Sequence, residues 1–250
     1  MKLTGPVPGG PCWAGLATSD VPAARAFYAG LFGWRSETDP RPEAGGYTTA
    51  RLGEDAVAAL SPLRDPGQLP AWTLSFATED ADASAGAVRS AGGTVLVDPL
   101  DVLDRGRFAV AADPAGAVFA LWQARGFPGA GRFNAPGTLG WTELRTSDPR
   151  GALTFYRAVF GWSVDASERF THWGVAGADF GGVKEQDDDE QAETPPHWLP
   201  YFTVSDTEYT VARALTAGGE PLAPPVRVPG GPCVATLHDP QGAGFGVLAP

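Results

Sequence analysis

Two cysteines in 250 residues, Cys12 and Cys233, are too few for a disulfide framework or a thiolate metal centre, and two free thiols are expected. Long apolar runs are missing as well. No stretch of about 18 apolar residues could span a bilayer, and Met1 to Pro8 lacks the apolar core of a secretory signal, so a cytoplasmic protein without a membrane partner is expected. Positive charge is in short supply: 18 Lys and Arg stand against 29 Asp and Glu, a net charge of -11. Phosphate backbones and anionic membranes would repel such a chain at long range, so nucleic acid is set aside as a partner. There is no Gly-x-Ser-x-Gly elbow, phosphate loop or dinucleotide fingerprint, which leaves nucleophilic hydrolysis and nucleotide binding without support.

What the chain does have is a core-forming composition, 43% hydrophobic with 8 Trp, punctuated by 33 Gly and 24 Pro. It also repeats itself. Trp13-Ala14-Gly15-Leu16-Ala17-Thr18-Ser19-Asp20, running on through Phe27-Tyr28 to Phe32-Gly33-Trp34, returns 128 residues later as Trp141-Thr142-Glu143-Leu144-Arg145-Thr146-Ser147-Asp148, then Phe155-Tyr156 to Phe160-Gly161-Trp162. A duplicated unit divides the chain into domain 1 at 1–124, a Gly/Pro-rich linker at 125–138, and domain 2 at 139–250.

Each copy reads as a strand, a helix cap, Asp20 or Ser19 in the first copy, and an amphipathic helix. Ala24, Phe27, Tyr28, Leu31 and Phe32 form one stripe, which Gly33 stops. Two short strands follow, at 47–52 and 56–60. A second module starts at 72–78, passes through a small-residue helix to Gly92-Gly93, and closes with strands around the turn Asp113-Pro114-Ala115-Gly116. Asp239-Pro240-Gln241-Gly242 repeats that turn. Four modules, an α+β architecture, are therefore expected. The acidic run 185–193 is expected as a solvated loop, Pro221 to Pro232 as a proline-stiffened loop, and His197, after Pro195-Pro196, in a loop.

The paired βαβββ modules, the Ser-Asp-x-x-x-Ala-x-x-Phe-Tyr-x-x-x-Phe-Gly-Trp helix and the Asp-Pro-x-Gly turn resemble the vicinal oxygen chelate superfamily of glyoxalases, bleomycin-resistance proteins and dioxygenases, over nearly the whole chain and in tandem. The resemblance implies mixed sheets cupped around clefts with helices outside, and in many members a divalent metal in the cleft. Carried over by position, its metal-binding histidine of the first strand falls on Trp13 and Trp141, its second-module histidine near Thr73 and Leu199, and its last-strand glutamate on Ala120 and Gly246. An indole has no available lone pair for a cation. Glu185, near the remaining glutamate position, is one carboxylate where three or four protein ligands are needed. A metal-free member with no metal ligands and no cofactor is expected, so metal-dependent glyoxalase I and extradiol dioxygenase activities are not.

Period-two alternation then assigns the cleft-facing residues. Trp13, Phe108 and Trp122 fall in the first half, and Trp141, Glu143, Arg145, Tyr201 and Thr236 in the second, which alone combines an aromatic ring with a carboxylate and a guanidinium. The leading expectation is a protein that binds a bulky aromatic or apolar small molecule, for antibiotic sequestration, resistance or biosynthesis, as a monomer or homodimer. An alternative is a metal-independent lyase or isomerase in which Glu143 or His238 moves a proton and Arg145 holds an anionic group. A third is a regulatory partner that uses Asp187 to Asp189 as a contact surface.

Overall fold

The computed structural model describes residues 6–65, 67–166 and 171–250; the first five residues of the segment read for a leader lie outside them. Four modules follow one another. The first comprises β1 (Pro11–Thr18), α1 (Val21–Phe32), β2 (Arg35–Thr38), β3 (Thr48–Leu52) and β4 (Asp55–Pro62), and the second β5 (Ala71–Ala77), α2 (Ala81–Ser90), β6 (Thr94–Val102), β7 (Gly106–Ala112) and β8 (Val118–Ala124). The third holds β9 (Leu139–Thr146), α3 (Pro149–Phe160), β10 (Ser163–Ala166), β11 (Thr171–Val175) and β12 (Ala178–Glu185); α4 (Asp188–Glu193) leads to the fourth, with β13 (His197–Thr203), α5 (Thr207–Thr216), β14 (Glu220–Arg227), β15 (Cys233–His238) and β16 (Gly244–Ala249). The strands make two eight-stranded sheets, ordered β2-β3-β4-β1-β5-β8-β7-β6 and β10-β11-β12-β9-β13-β16-β15-β14. The expected α+β class is observed.

The repeated motif sets the helix ends. Asp20 accepts the Ala23 amide at 2.9 Å and Asp148 the Gly151 amide at 2.9 Å. Gly33 and Gly161 close the helices in the left-handed region at φ 73° and 69°, where a Cβ is disfavoured.

Four local expectations are corrected. β2 and β10 escape sequence reading because each is a four-residue strand, and β2, Arg35-Ser36-Glu37-Thr38, is polar and mostly exposed. The proline-rich stretch forms strand β14 over residues 220–227; as the outermost strand it tolerates Pro221, Pro224 and Pro225, which lack ladder donors, through two register shifts. The acidic run contains α4, held by a reciprocal cap between Asp187 and Glu190 and by Gln186, whose side chain donates to Thr194 O at 3.0 Å. His197 opens β13.

The compact units cross the sequence halves. One takes Met1–Trp13, Thr73–Gly129 and Thr142–Leu199; the other takes Ala14–Trp72, Ala130–Trp141 and Pro200–Pro250. In the first, the fully buried Tyr156 of α3 stacks on Trp162 at 4.8 Å and meets Phe119 at 5.6 Å. Its hydroxyl accepts from Trp198 Nε1 (2.8 Å) and donates to Asp113 Oδ2 (3.1 Å). Asp113 Oδ1 holds its own turn through the Ala115 and Ala117 amides at 3.0 and 2.9 Å. The second unit repeats the relay: Trp72 Nε1 donates to Tyr28 OH (3.1 Å), Tyr28 donates to Asp239 Oδ2 (3.0 Å), and Asp239 Oδ1 accepts from Gln241 and Ala243. The Phe-Tyr pair of a helix and the Asp-Pro turn of the opposite half thus complete each other. The Trp after each helix stop acts likewise, Trp162 donating to Gly9 O at 2.6 Å and Trp34 to Gly137 O at 2.8 Å.

Candidate functional site

Strand β9 has two unlike faces. Thr142, Leu144 and Thr146 are fully buried, whereas Trp141, Glu143 and Arg145 point to the other side and are half-buried. Arg145 Nε donates to Glu143 Oε1 at 2.9 Å, and the side chains keep 15% and 21% of their exposure, so the pair is sheltered. Lys184 of β12 stands beside Arg145 in register, and its ammonium pairs with Glu190 of α4 at 2.5 Å. The register also sets His172, Gly182 and Glu143 in one row across β11, β12 and β9. His172 Nδ1 lies 3.9 Å from Asp179 Oδ2.

His197 joins this group. Its Nδ1 lies 2.8 Å from Pro195 O, and burial pushes its pKa down, opposed first by that hydrogen bond, assisted by the charge of Arg145 and opposed again by Glu143 and Glu190. The next residue, Trp198, is buried against Tyr156, so strand alternation turns His197 to the side of Glu143 and Arg145. Sequence reading missed it because Pro195-Pro196 marks a loop; its even spacing from Leu199, near the family's histidine position, was the available signal.

In the other unit, Tyr201 and Gly246 are register partners on β13 and β16. A Cβ on Gly246 would collide with the Tyr201 ring carbons, so the ring packs against that glycine. Thr236 of β15 is buried and pairs with Gly246 from the other flank. His238 ends β15, half-buried, opposite Glu220 of β14.

The first sheet differs. Phe108 and Trp122 are register partners on β7 and β8, and Trp122 lies over Gly106. Phe127, from the stretch read as linker, sets its ring edge-on to Trp13 (centroids 4.9 Å) and near Trp122 (6.2 Å). Trp122 Nε1 donates to Phe127 O at 2.9 Å, and Phe127 N donates to Arg105 O at 3.0 Å. The chain's own Phe127 therefore covers the two indoles expected to offer a ligand platform. Phe127→Ala is expected to increase acrylamide quenching of tryptophan fluorescence and to lower stability by about 1–2 kcal/mol, the worth of two edge-on ring contacts with some lost burial.

The residues at the family's metal positions do not fit a divalent cation. Trp13 and Trp141 offer N–H donors, Leu199 and Ala120 offer no donor atom, and Gly246 carries the Tyr201 ring in place of a carboxylate. Glu185 is exposed at the end of β12. Among the described residues no group of three or more His, Cys, Asp and Glu converges on a common point, and no helix is long and apolar enough to cross a membrane.

Comparison with known proteins agrees with this fold. A model of the glyoxalase-like domain matches residues 13–122 and 141–248. The chain is 39% identical over 251 residues (97% of this chain, 95% of the relative) to a Mycobacterium tuberculosis protein named "Putative glyoxylase CFP32". It is 40% identical over 259 residues (96% and 93%) to the anthracycline biosynthesis protein DauV of Streptomyces sp. strain C5. Among solved structures, the Mn(II)-bound glyoxalase of Novosphingobium aromaticivorans superposes with a TM-score of 0.68 at 17% identity, covering 99% of this chain and 83% of that one. Extradiol ring-cleaving dioxygenases share the same fold.

Proposed function

The chain belongs to the glyoxalase-like family of the vicinal oxygen chelate fold, and from that premise we propose that it binds a bulky planar aromatic molecule without a metal, in an accessory role in secondary metabolism. The observation that carries this reading is the half-buried face of β9, where an indole at the family's metal-binding position is followed on the same face by the sheltered Glu143–Arg145 pair. A flat apolar ring suits the indole, and the ion pair offers polar groups already held in place. The naming of DauV for anthracycline biosynthesis supports the role. The proposed partner is a small molecule, since the net charge of -11 disfavours nucleic acid and anionic membranes.

Titrating tryptophan fluorescence with polycyclic aromatic quinones tests the reading. Binding in the micromolar range is expected, with Trp141→Ala weakening it by about 1 kcal/mol, roughly fivefold. Quenching that requires millimolar ligand, or that Trp141→Ala leaves unchanged, overturns it. The name of the mycobacterial relative favours a second reading, a metal-independent lyase or isomerase that uses Glu143 with Arg145, or His238. Its signature is turnover that survives exhaustive chelation and is lost in Glu143→Gln.

A further inference from the structure

We propose that His197 is a hydrogen-bond acceptor for a ring hydroxyl, so that the ligand of this protein is a phenol. The inference rests on the aromatic-binding reading above and narrows it.

The argument starts from the tautomer. Nδ1 lies 2.8 Å from Pro195 O, and a carbonyl only accepts, so the imidazole hydrogen is on Nδ1 and the Nε2 lone pair is left over. No described residue forms a hydrogen bond with Nε2. The charge state agrees. Among the described residues, the charged groups that act on the ring are Arg145 and Glu143 from β9 and Glu190 from α4. Glu143 is engaged by Arg145 and Glu190 by Lys184, so neither carboxylate is a hydrogen-bonded partner that would fix an imidazolium. Burial pushes the pKa below the ordinary value of 6.5, outweighing the Pro195 hydrogen bond that raises it, and the charge of Arg145 adds to the fall. The ring is therefore neutral at neutral pH. The stability tied to its neutral form is present above 6.5 and is lost as pH falls through the lowered value.

A neutral imidazole with one fixed donor and one available acceptor selects the partner's chemistry. An ether or carbonyl oxygen supplies no hydrogen to the Nε2 lone pair. A hydroxyl on an aromatic ring supplies one, and an aromatic ring is what the reading above calls for. Because Pro195 holds the imidazole before the ligand arrives, little ordering is left for binding. The step is a hydrogen bond: the O–H stays on the ligand and no covalent bond changes.

The probes are 1-hydroxypyrene and 1-methoxypyrene, which share a ring system and differ in the donor, titrated into the full chain at neutral pH. Wild-type protein is expected to favour 1-hydroxypyrene by about tenfold, the worth of one well-placed hydrogen bond. His197→Phe, which keeps the ring and removes the acceptor, should bring the two within about twofold, and His197→Gln should retain part of the preference. Equal affinity of the two pyrenes for the wild type overturns the proposal and leaves the aromatic-binding reading standing. A preference that persists in His197→Phe overturns it too. Failure of both pyrenes to bind the wild type while polycyclic quinones bind overturns this proposal alone, and failure of pyrenes and quinones alike overturns both readings.

Discussion

Asp113→Ala is expected to lower the free energy of unfolding by about 3 kcal/mol, and Asp239→Ala by a similar amount, in urea titrations of the full chain. Each carboxylate makes three hydrogen bonds in a buried place. One oxygen accepts two turn amides, and the other accepts the hydroxyl of a fully buried tyrosine. Alanine leaves all three donors unmatched, and the tyrosine is fully buried, out of reach of solvent. Tyr156→Phe is the milder probe. It removes the hydroxyl, orphans Trp198 Nε1 and Asp113 Oδ2, and should cost about 1–3 kcal/mol without opening a cavity. The pH dependence has a definite sign. Burial raises the carboxyl pKa values of Asp113 and Asp239. The folded protein therefore holds these protons more tightly than the unfolded chain, and the resulting stability is full below the unfolded value and is lost as pH rises through the raised one. Asp113→Asn, which cannot titrate, should accordingly differ from wild type most at acid pH. A loss in Asp113→Ala no larger than that of a surface substitution would show that the relay carries no stability.

The relays also explain what could and could not be read from the sequence. The 128-residue repeat, the Asp caps at 20 and 148 and the left-handed stops at Gly33 and Gly161 are local signals, set within a few residues, and the structure contains them as expected. That Tyr28 would meet Asp239 and Tyr156 would meet Asp113 is a long-range pairing. Both motifs are visible in the chain, but nothing in either specifies the half in which its partner lies. The same division holds at the candidate site. Alternation on β9 correctly sets Trp141, Glu143 and Arg145 on one face because period two is intrinsic to a strand. Phe127 was overlooked because a ring in a glycine- and proline-rich stretch carries no periodicity, and its packing on Trp13 and Trp122 depends on where the chain returns. His197 was obscured by the prolines before it, although one of them supplies the carbonyl that orients its ring.

Gly246→Glu, which restores the side chain that metal-binding relatives are expected to carry at this position, should destabilise the protein by about 3 kcal/mol or more and confer no Mn(II) binding in calorimetric titration. The loss begins at the first carbon. Gly246 is buried on β16 with the ring of its partner Tyr201 against it, and any Cβ would collide with the ring carbons. Tyr201 is itself 5% exposed, so the displaced ring has little solvent to turn into and must move its neighbours. The carboxylate adds the cost of a buried charge without an identified cation or donor set to receive it. Gly246→Ala separates these effects: it keeps the steric collision and omits the charge, and should cost about 1–3 kcal/mol. The double variant Gly246→Glu, Tyr201→Ala relieves the collision and should recover part of the loss, yet it should still bind no metal, because Trp141 and Leu199 occupy the other two positions. Stoichiometric, micromolar Mn(II) binding by that double variant would mean that one carboxylate was all the site lacked, and that the aromatic substitutions at Trp141 and Tyr201 are incidental to its chemistry.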